Sequence, residues 1–400
     1  MQLRHLSLTN FRNFARLETD LASGPTLIVG ANAQGKTSLL EAIGYLATAS
    51  SAHASSDRQL INFLALRQSA PFSRLTAEVQ RADRLQRIEI RLVASSGGED
   101  ARLQKEILLN GVRRRTSDLS EGLNAVLFQP HDLVIVEGSP SERRRYLDSA
   151  ISQADAEYAA GHHEYARVVT QRNALLRQLQ ERRNGEEQLD FWDEQLADLG
   201  SQLVRARTLA LAEIERLAAP LFSGLTRSQE ALGLEYLPSI SRLAPENGQL
   251  DLPLEHPRPA SALSRPALRE ALLDAVHRLR SEEIARGMTL FGPHRDELRI
   301  TSNGLDLRTY GSRGQNRTAM LALKLAEAAW LRQRTGETPV LLLDEVLAEL
   351  DTLRREDLLA RVFEADQALL TGADLSMFPN AFQRRAAIWT IEGGRLQAVS

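Results

Sequence analysis

Alternation of apolar and polar residues marks the first segments of the chain as strands. Leu3 to Thr9 alternates, Phe11 to Phe14 makes a turn, and Leu17 to Leu21 alternates again, which predicts a hairpin with Arg12 at its tip. More strands and their turns follow, at Leu75 to Val79, Gln86 to Val93, Glu106 to Leu109, Gly97-Gly98 and Asn110-Gly111. The leading third of the chain is therefore predicted to be mixed, with an antiparallel sheet as one of its parts.

Short uninterrupted apolar runs predict a second, buried sheet. Such runs occur at Thr26 to Val29, Ala125 to Phe128, Pro339 to Leu343 and Ala368 to Thr371. The run at Leu341 to Leu343 is typical of a central parallel strand, which would bring residues from both ends of the chain together. A closing hairpin is predicted at Ile388 to Val399, with its turn at Gly393-Gly394.

Helical periodicity fills the middle of the chain. It runs from Ser141 to about Leu221 with a break at Asn184-Gly185, which predicts two long antiparallel helices. A proline-rich loop at Pro245 to Pro266 precedes another helix, and a strand is expected at Met288 to Phe291. We therefore expect an α/β protein with a first part at 1–115, a mostly helical inserted lobe at 116–287 and a returning part at 288–400.

Composition narrows the class of protein. The chain has 400 residues, 43% hydrophobic and 25% charged, as in ordinary globular proteins, and no apolar run approaches the length of a membrane span. The absence of cysteine fits a reducing compartment, so we expect a cytoplasmic protein without disulfides or cysteine-zinc sites. A net charge of -3 argues against a broadly basic nucleic-acid binder, so any contact with DNA would need a local patch.

The most informative motif is a phosphate loop between a predicted strand and a predicted helix. Two glycines, a lysine and a hydroxyl stand at the required spacing in Gly30, Ala31, Asn32, Ala33, Gln34, Gly35, Lys36 and Thr37. Glycines let the backbone N–H groups point at phosphate oxygens, Lys36 would reach the outer phosphates, and the Thr37 hydroxyl would bind Mg²⁺. The helix N-terminus adds its positive dipole end, so the motif predicts an ATP site.

Polar residues at two predicted strand ends supply the chemistry of hydrolysis. Asp344 and Glu345 follow the apolar run, where Asp344 would hold Mg²⁺ and Glu345 would polarise the attacking water. The Gln129 amide is a candidate for completing the Mg²⁺ shell, although a strand-end polar residue needs no function. Arg12 has two readings, a solvated turn residue or a ligand of the phosphates.

A second anion site is predicted before the helix at Thr318 to Arg332. Ser312, Arg313, Gly314 and Gln315 combine a capping hydroxyl with a flexible glycine at a helix N-terminus. A capped helix would explain the pattern by itself. Because the chain already has one phosphate site, however, a second one suggests a second subunit.

Two arginine triplets are candidates for a local basic patch. They are Arg113, Arg114, Arg115 and Arg143, Arg144, Arg145. Either could neutralise phosphates of DNA, although such runs are more often solvated faces.

Taken together, these motifs resemble the ABC-type ATPases of chromosome maintenance, and more closely the RecF family of bacterial recombination mediators. The resemblance rests on the phosphate loop, the acidic strand and further motifs in the family's order: Phe11 to Phe14, Gly138 to Pro140 followed by Arg143 to Asp148, Gly292 to Asp296, Ser312 to Arg317, and Glu349 to Asp351. It implies an ABC-type head with a parallel and an antiparallel sheet. It also implies an ATP-induced homodimer on DNA, at junctions of single and double strands, working with RecO and RecR.

The resemblance also assigns roles to residues. Asn32 to Thr37 would bind the nucleotide of their own subunit, and Ser312 and Gly314 would reach the γ-phosphate across the dimer. Gln129 would stand at the ABC glutamine loop and Asp351 in the contact loop after the acidic strand. The switch histidine of ABC proteins is not evident near Thr371. A transporter ATPase subunit and a metabolic kinase with a phosphate loop are the alternatives, and the predicted arm and second glycine motif favour DNA maintenance.

Overall fold

The fold is described from a computed structural model, which defines residues 1–82, 84–94, 103–182, 184–242 and 264–399. Within these residues the chain divides into two compact units. The sheet unit comprises Met1–Asp132 and Lys324–Ser400, and the helical unit comprises Leu133–Leu323. The turn predicted at Gly97-Gly98 and most of the loop predicted at Pro245 to Pro266 lie outside the described residues.

The strands and helices agree with most of the predicted elements. The strands are β1 (Gln2–Phe11), β2 (Phe14–Asp20), β3 (Gly24–Val29), β4 (Phe72–Arg81), β5 (Arg84–Ala94), β6 (Leu103–Leu109), β7 (Val112–Arg114), β8 (Ala125–Phe128), β9 (Leu232–Leu237), β10 (Glu297–Ser302), β11 (Leu305–Asp306), β12 (Val340–Asp344), β13 (Gln367–Gly372), β14 (Ala387–Glu392) and β15 (Arg395–Val399). The helices are α1 (Lys36–Thr48), α2 (Val134–Glu137), α3 (Pro140–Ala154), α4 (Ala156–Arg182), α5 (Leu189–Leu225), α6 (Arg265–Arg286), α7 (Leu307–Tyr310), α8 (Arg313–Thr335), α9 (Thr352–Glu364) and α10 (Asn380–Gln383).

The sheet unit contains the two predicted sheets. The antiparallel sheet has the order β2-β1-β4-β5-β6-β7, and β1 with β2 forms the predicted leading hairpin. The second sheet has the order β15-β14-β3-β13-β12-β8, with parallel pairing from β14 through to β8. Helix α1 packs in the core that both sheets share, where Leu39, Leu40 and Ile43 are fully buried. Each such side chain contributes about 1.5–3 kcal/mol to folding.

The parallel pairing brings distant strand ends to one edge of the sheet. Asp344 at the end of β12 is the register partner of Thr371 in β13, and Thr371 is the partner of Ile28 in β3. All five residues of β12 are buried, as the apolar run predicted. The phosphate loop and the acidic pair therefore follow strands that are separated only by β13.

The helical unit is built on the two long helices that the periodicity predicted. Leu179 of α4 packs with Leu189 of α5 beside the turn, and Gln202 of α5 bonds Glu157 of α4 farther along, so the helices are antiparallel. The Arg172 guanidinium of α4 is fully buried. It pairs with Asp193 of α5 at 2.7 Å and with Glu283 of α6 at 2.7 Å, so it connects three helices. Such a pair is costly to break, because the remaining charge would be buried alone.

Two predicted boundaries differ from the observed ones. The helical unit starts at Leu133 and not at 116, because β8 pairs with β12 in the parallel sheet. It extends to Leu323 and not to 287, because β10 pairs with β9 and keeps the segment after α6 in this unit. The motif that starts at Ser312 therefore belongs to the helical unit.

The strand predicted at Met288 to Phe291 is absent, and this prediction was wrong. Side chains replace a strand partner there: Asn173 Oδ1 accepts a hydrogen bond from Thr289 N at 2.7 Å, and Glu283 Oε1 accepts one from Leu290 N at 2.8 Å. An apolar run can be buried without a sheet when side chains satisfy its backbone groups.

Candidate nucleotide site

The phosphate loop connects β3 to α1 in a conformation that requires glycine. Gly35 is the N-cap of α1 at φ 115°, a left-handed conformation, and a Cβ there would lie 2.6 Å from Asn13 Nδ2. A Cβ on Gly30 would lie 2.4 Å from the Ile391 carbonyl oxygen. A side chain at Gly30 would require the backbone at Ile391 to move, and one at Gly35 would be strained by the left-handed conformation and would displace the Asn13 amide.

Lys36 lies at the centre of the loop. Its Nζ donates hydrogen bonds to the carbonyl oxygens of Gly30 at 2.7 Å and Ala31 at 3.0 Å, so the loop curls around the ammonium group. The same Nζ lies 3.1 Å from Glu345 Oε1. The Lys36 side chain is only 4% exposed, whereas that of Glu345 is 39% exposed. The carboxylate is therefore open to water while it faces the loop.

Two hairpins of the sheet unit, the leading one and the closing one, hold the phosphate loop at Gln34. Asn13 Nδ2, at the tip of the leading hairpin, donates to the Gln34 carbonyl oxygen at 3.1 Å. In the closing hairpin, Gly393 N donates to Gln34 Oε1 at 2.7 Å. The phosphate loop is thus fixed from two sides before any ligand contact is considered.

The acidic pair adopts an unusual backbone. Glu345 has φ 52°, in the left-handed region that a residue with a side chain rarely occupies. Its N–H donates to Thr371 Oγ1 at 3.0 Å, and Thr371 Oγ1 donates to Asp344 Oδ1 at 2.7 Å. Strained residues of this kind cluster at functional sites, where the surrounding structure holds them.

The donor set predicted for a metal suits Mg²⁺. Thr37 stands exposed in the first turn of α1, and Asp344 brings one buried carboxylate. Among the described residues no group of three or more His, Cys, Asp or Glu side chains could form an all-protein metal site. A hydroxyl and one carboxylate fit Mg²⁺, which is usually bound through one or two carboxylates together with substrate phosphates.

The second glycine motif lies at the start of α8 in the helical unit. Ser312 Oγ accepts a hydrogen bond from Gln315 N at 3.2 Å, and Gln315 Oε1 accepts one from Ser312 N at 2.9 Å. This reciprocal pair is a capping box, so Ser312 is the N-cap that the sequence predicted. Ser312, Arg313 and Gly314 are exposed, which leaves this helix end available on the surface of its unit.

Comparison with known proteins places the whole chain. The family model for the RecF/RecN/SMC N terminal domain matches residues 2–394. The DNA replication and repair protein RecF of Chloroflexus aurantiacus is 42% identical, with 100% of both chains covered. The chain belongs to the RecF family.

Solved structures agree with this placement. Two structures described as the recombination mediator protein RecF-ATPrS and RecF-ATP in the RecFOR pathway each have TM-score 0.83 and 30% identity. They cover 100% of this chain and 98% and 97% of their own. The fold is therefore that of the RecF and SMC-type ATPase head, as the sequence predicted.

The roles predicted for Arg12 as a phosphate ligand and for Gln129 as a Mg²⁺ ligand stay predictions. The Arg12 guanidinium donates to both Glu41 oxygens, at 2.8 and 2.6 Å, and to the Gln59 carbonyl oxygen at 3.1 Å. Gln129 is buried, and its Nε2 lies 2.6 Å from His53 Nε2. Both side chains thus already have protein partners in the sheet unit.

Asp351, which the resemblance assigned to a contact loop, is the exposed N-cap of α9. Its Oδ1 accepts from Arg354 N at 3.0 Å, and its other oxygen pairs with the Arg354 guanidinium. A role of Asp351 at a subunit contact stays a prediction.

The two arginine triplets differ sharply. Arg113, Arg114 and Arg115 are all exposed, at or just after β7. Arg143, in contrast, is 3% exposed and donates to both Glu297 oxygens at 2.9 and 3.1 Å, so its assignment as a DNA contact was wrong. Arg144 is half-buried and donates to the Asp296 carbonyl oxygen at 2.6 Å.

Several residues around the site were not singled out by the sequence. Asn13 was considered only as part of a motif, and His53 and the hydroxyl of Thr371 were given no role. The one signal for Thr371 was its place at the end of the predicted strand beside the acidic one. None of the described helices is long and apolar enough to cross a membrane.

Proposed function

We propose that the chain is an ATP-dependent DNA-binding protein of recombinational repair, and a weak ATPase. The observation that carries this proposal is the 3.1 Å approach of Lys36 Nζ to Glu345 Oε1. A phosphate-binding ammonium and an accessible carboxylate converge on one point, which is where a γ-phosphate and its attacking water would lie. Relatives solved as RecF-ATP support ATP as the ligand.

Hydrolysis would then be assisted by residues of the sheet unit. Lys36 and the loop N–H groups would hold the phosphates in line for attack. Water would attack the γ-phosphorus, its proton would pass to the Glu345 carboxylate, and the bond to the β-phosphate oxygen would break to give ADP and phosphate. Thr37 and Asp344, with Gln129 as a further candidate, would hold Mg²⁺, which supplies charge neutralisation at the phosphates.

ATP would also act as a ligand between two copies of the chain. The exposed start of α8 at Ser312 to Gly314 is suited to an anion, because a helix N-terminus and a hydroxyl face outward there. In a head-to-head dimer, this end of one copy would meet the γ-phosphate held by the other, and Asp351 would lie at the contact. Binding would favour the dimer and hydrolysis would release it, because the contact is made only in the closed state.

The names of the relatives indicate the partners. They are DNA replication and repair proteins, and the solved ones belong to the RecFOR pathway. We therefore propose DNA, at duplexes or at junctions of single and double strands, and the RecO and RecR proteins as partners in recombinase loading. Membership of the RecF family favours this function over a transporter subunit or a kinase.

The decisive experiment is the molar mass in solution without nucleotide, with ADP and with ATP. We expect the 44.4 kDa chain to double its mass only with ATP. Ser312→Arg should keep nucleotide binding and lose the doubling, because a long side chain would stand where the partner's phosphate approaches. A mass that is indifferent to ATP would reduce Ser312 to a helix cap and contradict the dimer.

DNA binding by the exposed triplet has its own test. Replacing Arg113, Arg114 and Arg115 by alanine should lower the slope of log affinity against log salt by up to about 2.7, at about 0.9 for each phosphate contact. The matched control removes three other exposed arginines of the sheet unit, Arg4, Arg16 and Arg384. Equal slopes for the two triple variants would discard the triplet as the DNA contact.

A further inference from the structure

The hydroxyl of Thr371 contacts both acidic residues of the candidate site, Asp344 and Glu345. It is the register partner of Asp344, and both side chains are buried, at 3% and 5% exposure. Its hydroxyl contacts three groups: Asp344 Oδ1 at 2.7 Å, the Glu345 N–H at 3.0 Å and the Leu343 carbonyl oxygen at 3.4 Å. One hydroxyl therefore connects the carboxylate of one acidic residue to the backbone of the next.

The direction of these hydrogen bonds follows from the chemistry of the groups. A hydroxyl has one proton to donate. The Asp344 carboxylate is the better acceptor for it, because the Leu343 carbonyl oxygen lies farther away. The Glu345 N–H can only donate, so it uses a lone pair of the same oxygen. Both contacts are satisfied at once, and the Asp344 carboxylate is fixed in rotation.

The second contact holds a backbone that would otherwise relax. Glu345 has φ 52°, a left-handed conformation that is unfavourable for a residue with a side chain. This conformation directs the Glu345 side chain to within 3.1 Å of Lys36 Nζ. If the N–H lost its buried acceptor, the left-handed conformation would lose its support and the carboxylate its place.

We propose that Thr371 is a positioning residue for ATP hydrolysis, holding Asp344 toward the metal and Glu345 toward the attacking water through a single hydroxyl. The proposal rests on the proposed function, since it takes the roles of Asp344 and Glu345 from there. The contacts of this hydroxyl are to the Asp344 carboxylate and to the backbone of Leu343 and Glu345, so it would act through the two acidic residues. Groups that orient metal ligands in this way typically change metal affinity or activity by about 10- to 100-fold.

The test compares Thr371→Val, which keeps the shape and removes the hydroxyl, with Thr371→Ser, which keeps the hydroxyl. In the full-length chain we expect Thr371→Val to lower kcat for ATP by about 10- to 100-fold while KM changes little. ATP binding, followed with a fluorescent ATP analogue, should need about tenfold more Mg²⁺ for half-saturation. Thr371→Ser should restore both values to near those of the wild type.

Controls separate this role from a loss of fold and from a failure of the proposed function. Thermal unfolding without nucleotide reports the fold, and Thr371→Ala replaces the valine variant if that variant does not fold. Equal kcat and equal Mg²⁺ dependence for Thr371→Val and the wild type would overturn the role of Thr371 alone. A wild-type chain that neither binds nor hydrolyses ATP would overturn the proposed function, and the role of Thr371 with it.

Discussion

The starts of α1 and α8 both combine a glycine with a hydroxyl residue, but they differ in how their backbone N–H groups are capped. Gly35 caps α1 in a left-handed conformation, with no side-chain hydrogen bond to the helix end. At α8, Ser312 and Gln315 cap each other's backbone N–H groups. The first end keeps its donors for a ligand, whereas the second is stable without one. The difference fits the proposed roles, in which the first end binds phosphate in its own subunit and the second meets the phosphate held by another.

The largest expected effect is on the α1 side of this comparison. Lys36→Ala removes the ammonium at the centre of the loop, and we expect nucleotide affinity to fall about 100-fold, since a charge-assisted contact contributes about 2–3 kcal/mol. Lys105→Ala is the control, because that lysine pairs with Asp57 elsewhere in the sheet unit. Titration with a fluorescent ATP analogue measures both, and similar affinities for the two variants would remove Lys36 from the site.

The second prediction concerns stability at low pH, which should depend on a histidine of the helical unit, the unit that carries the start of α8. In the helical unit, burial together with nearby Arg295, Arg144 and Arg207 lowers the pKa of His294 to about 4, although a hydrogen bond to Thr289 opposes the shift. The unfolded chain, with a pKa near 6.5, therefore holds a proton that the folded chain lacks between these values. Stability should fall as pH drops from about 6.5 to about 4, by at most about 3 kcal/mol.

Urea unfolding at several pH values tests this expectation. His294→Gln keeps a polar side chain and should flatten the loss between pH 6.5 and 4, whereas His5→Gln, in a surface pair with Asp20 in the sheet unit, should not. Below pH 4, protonation of Asp148 adds a further loss: burial opposes its charged form, but Arg207 and His162 bring its pKa down to about 2. An unchanged pH profile in His294→Gln would assign the acid sensitivity to other groups.

The smallest effect isolates the α8 start. Ser312→Ala removes a cap, and we expect about 1 kcal/mol of destabilisation, as for Ser264→Ala, which removes the N-cap hydroxyl of α6 in the same unit. Only Ser312→Ala should also weaken ATP-driven doubling of the mass. If the two variants behave alike in both measurements, Ser312 acts as a cap and nothing more.

Local sequence patterns predicted most of the fold and the strands, loop and helix around the centre of the candidate site. The phosphate loop, the leading hairpin and the buried strand before Asp344 are each specified within about ten residues of sequence, so they were predicted correctly. The parallel sheet followed because apolar strands with polar ends are typical of that arrangement.

What was missed depends on partners far away in the chain. The sequence suggested that Arg143 belongs to a solvated triplet, but it is buried and pairs with Glu297, 154 residues later. The run at Met288 to Phe291 is held by Asn173, 116 residues earlier, in place of a strand partner. Thr371 reads as an ordinary strand residue until its register with Asp344 is known. Sequence pattern reports what a segment prefers, whereas these roles depend on which distant segment it meets.

The parallel sheet has a consequence for how the protein is made. The Leu3 N–H donates to Gln367 Oε1, 364 residues away, and β3 is flanked by β13 and β14, which are synthesised long after it. At about 5–20 residues per second, the strand before the phosphate loop waits roughly 20 to 70 s for its neighbours. The helical unit is one continuous stretch, Leu133–Leu323, and can fold during that wait. Early strands with unpaired edges are prone to aggregate, so slow synthesis or truncation near the C-terminal end should burden chaperones more than a defect in the helical unit.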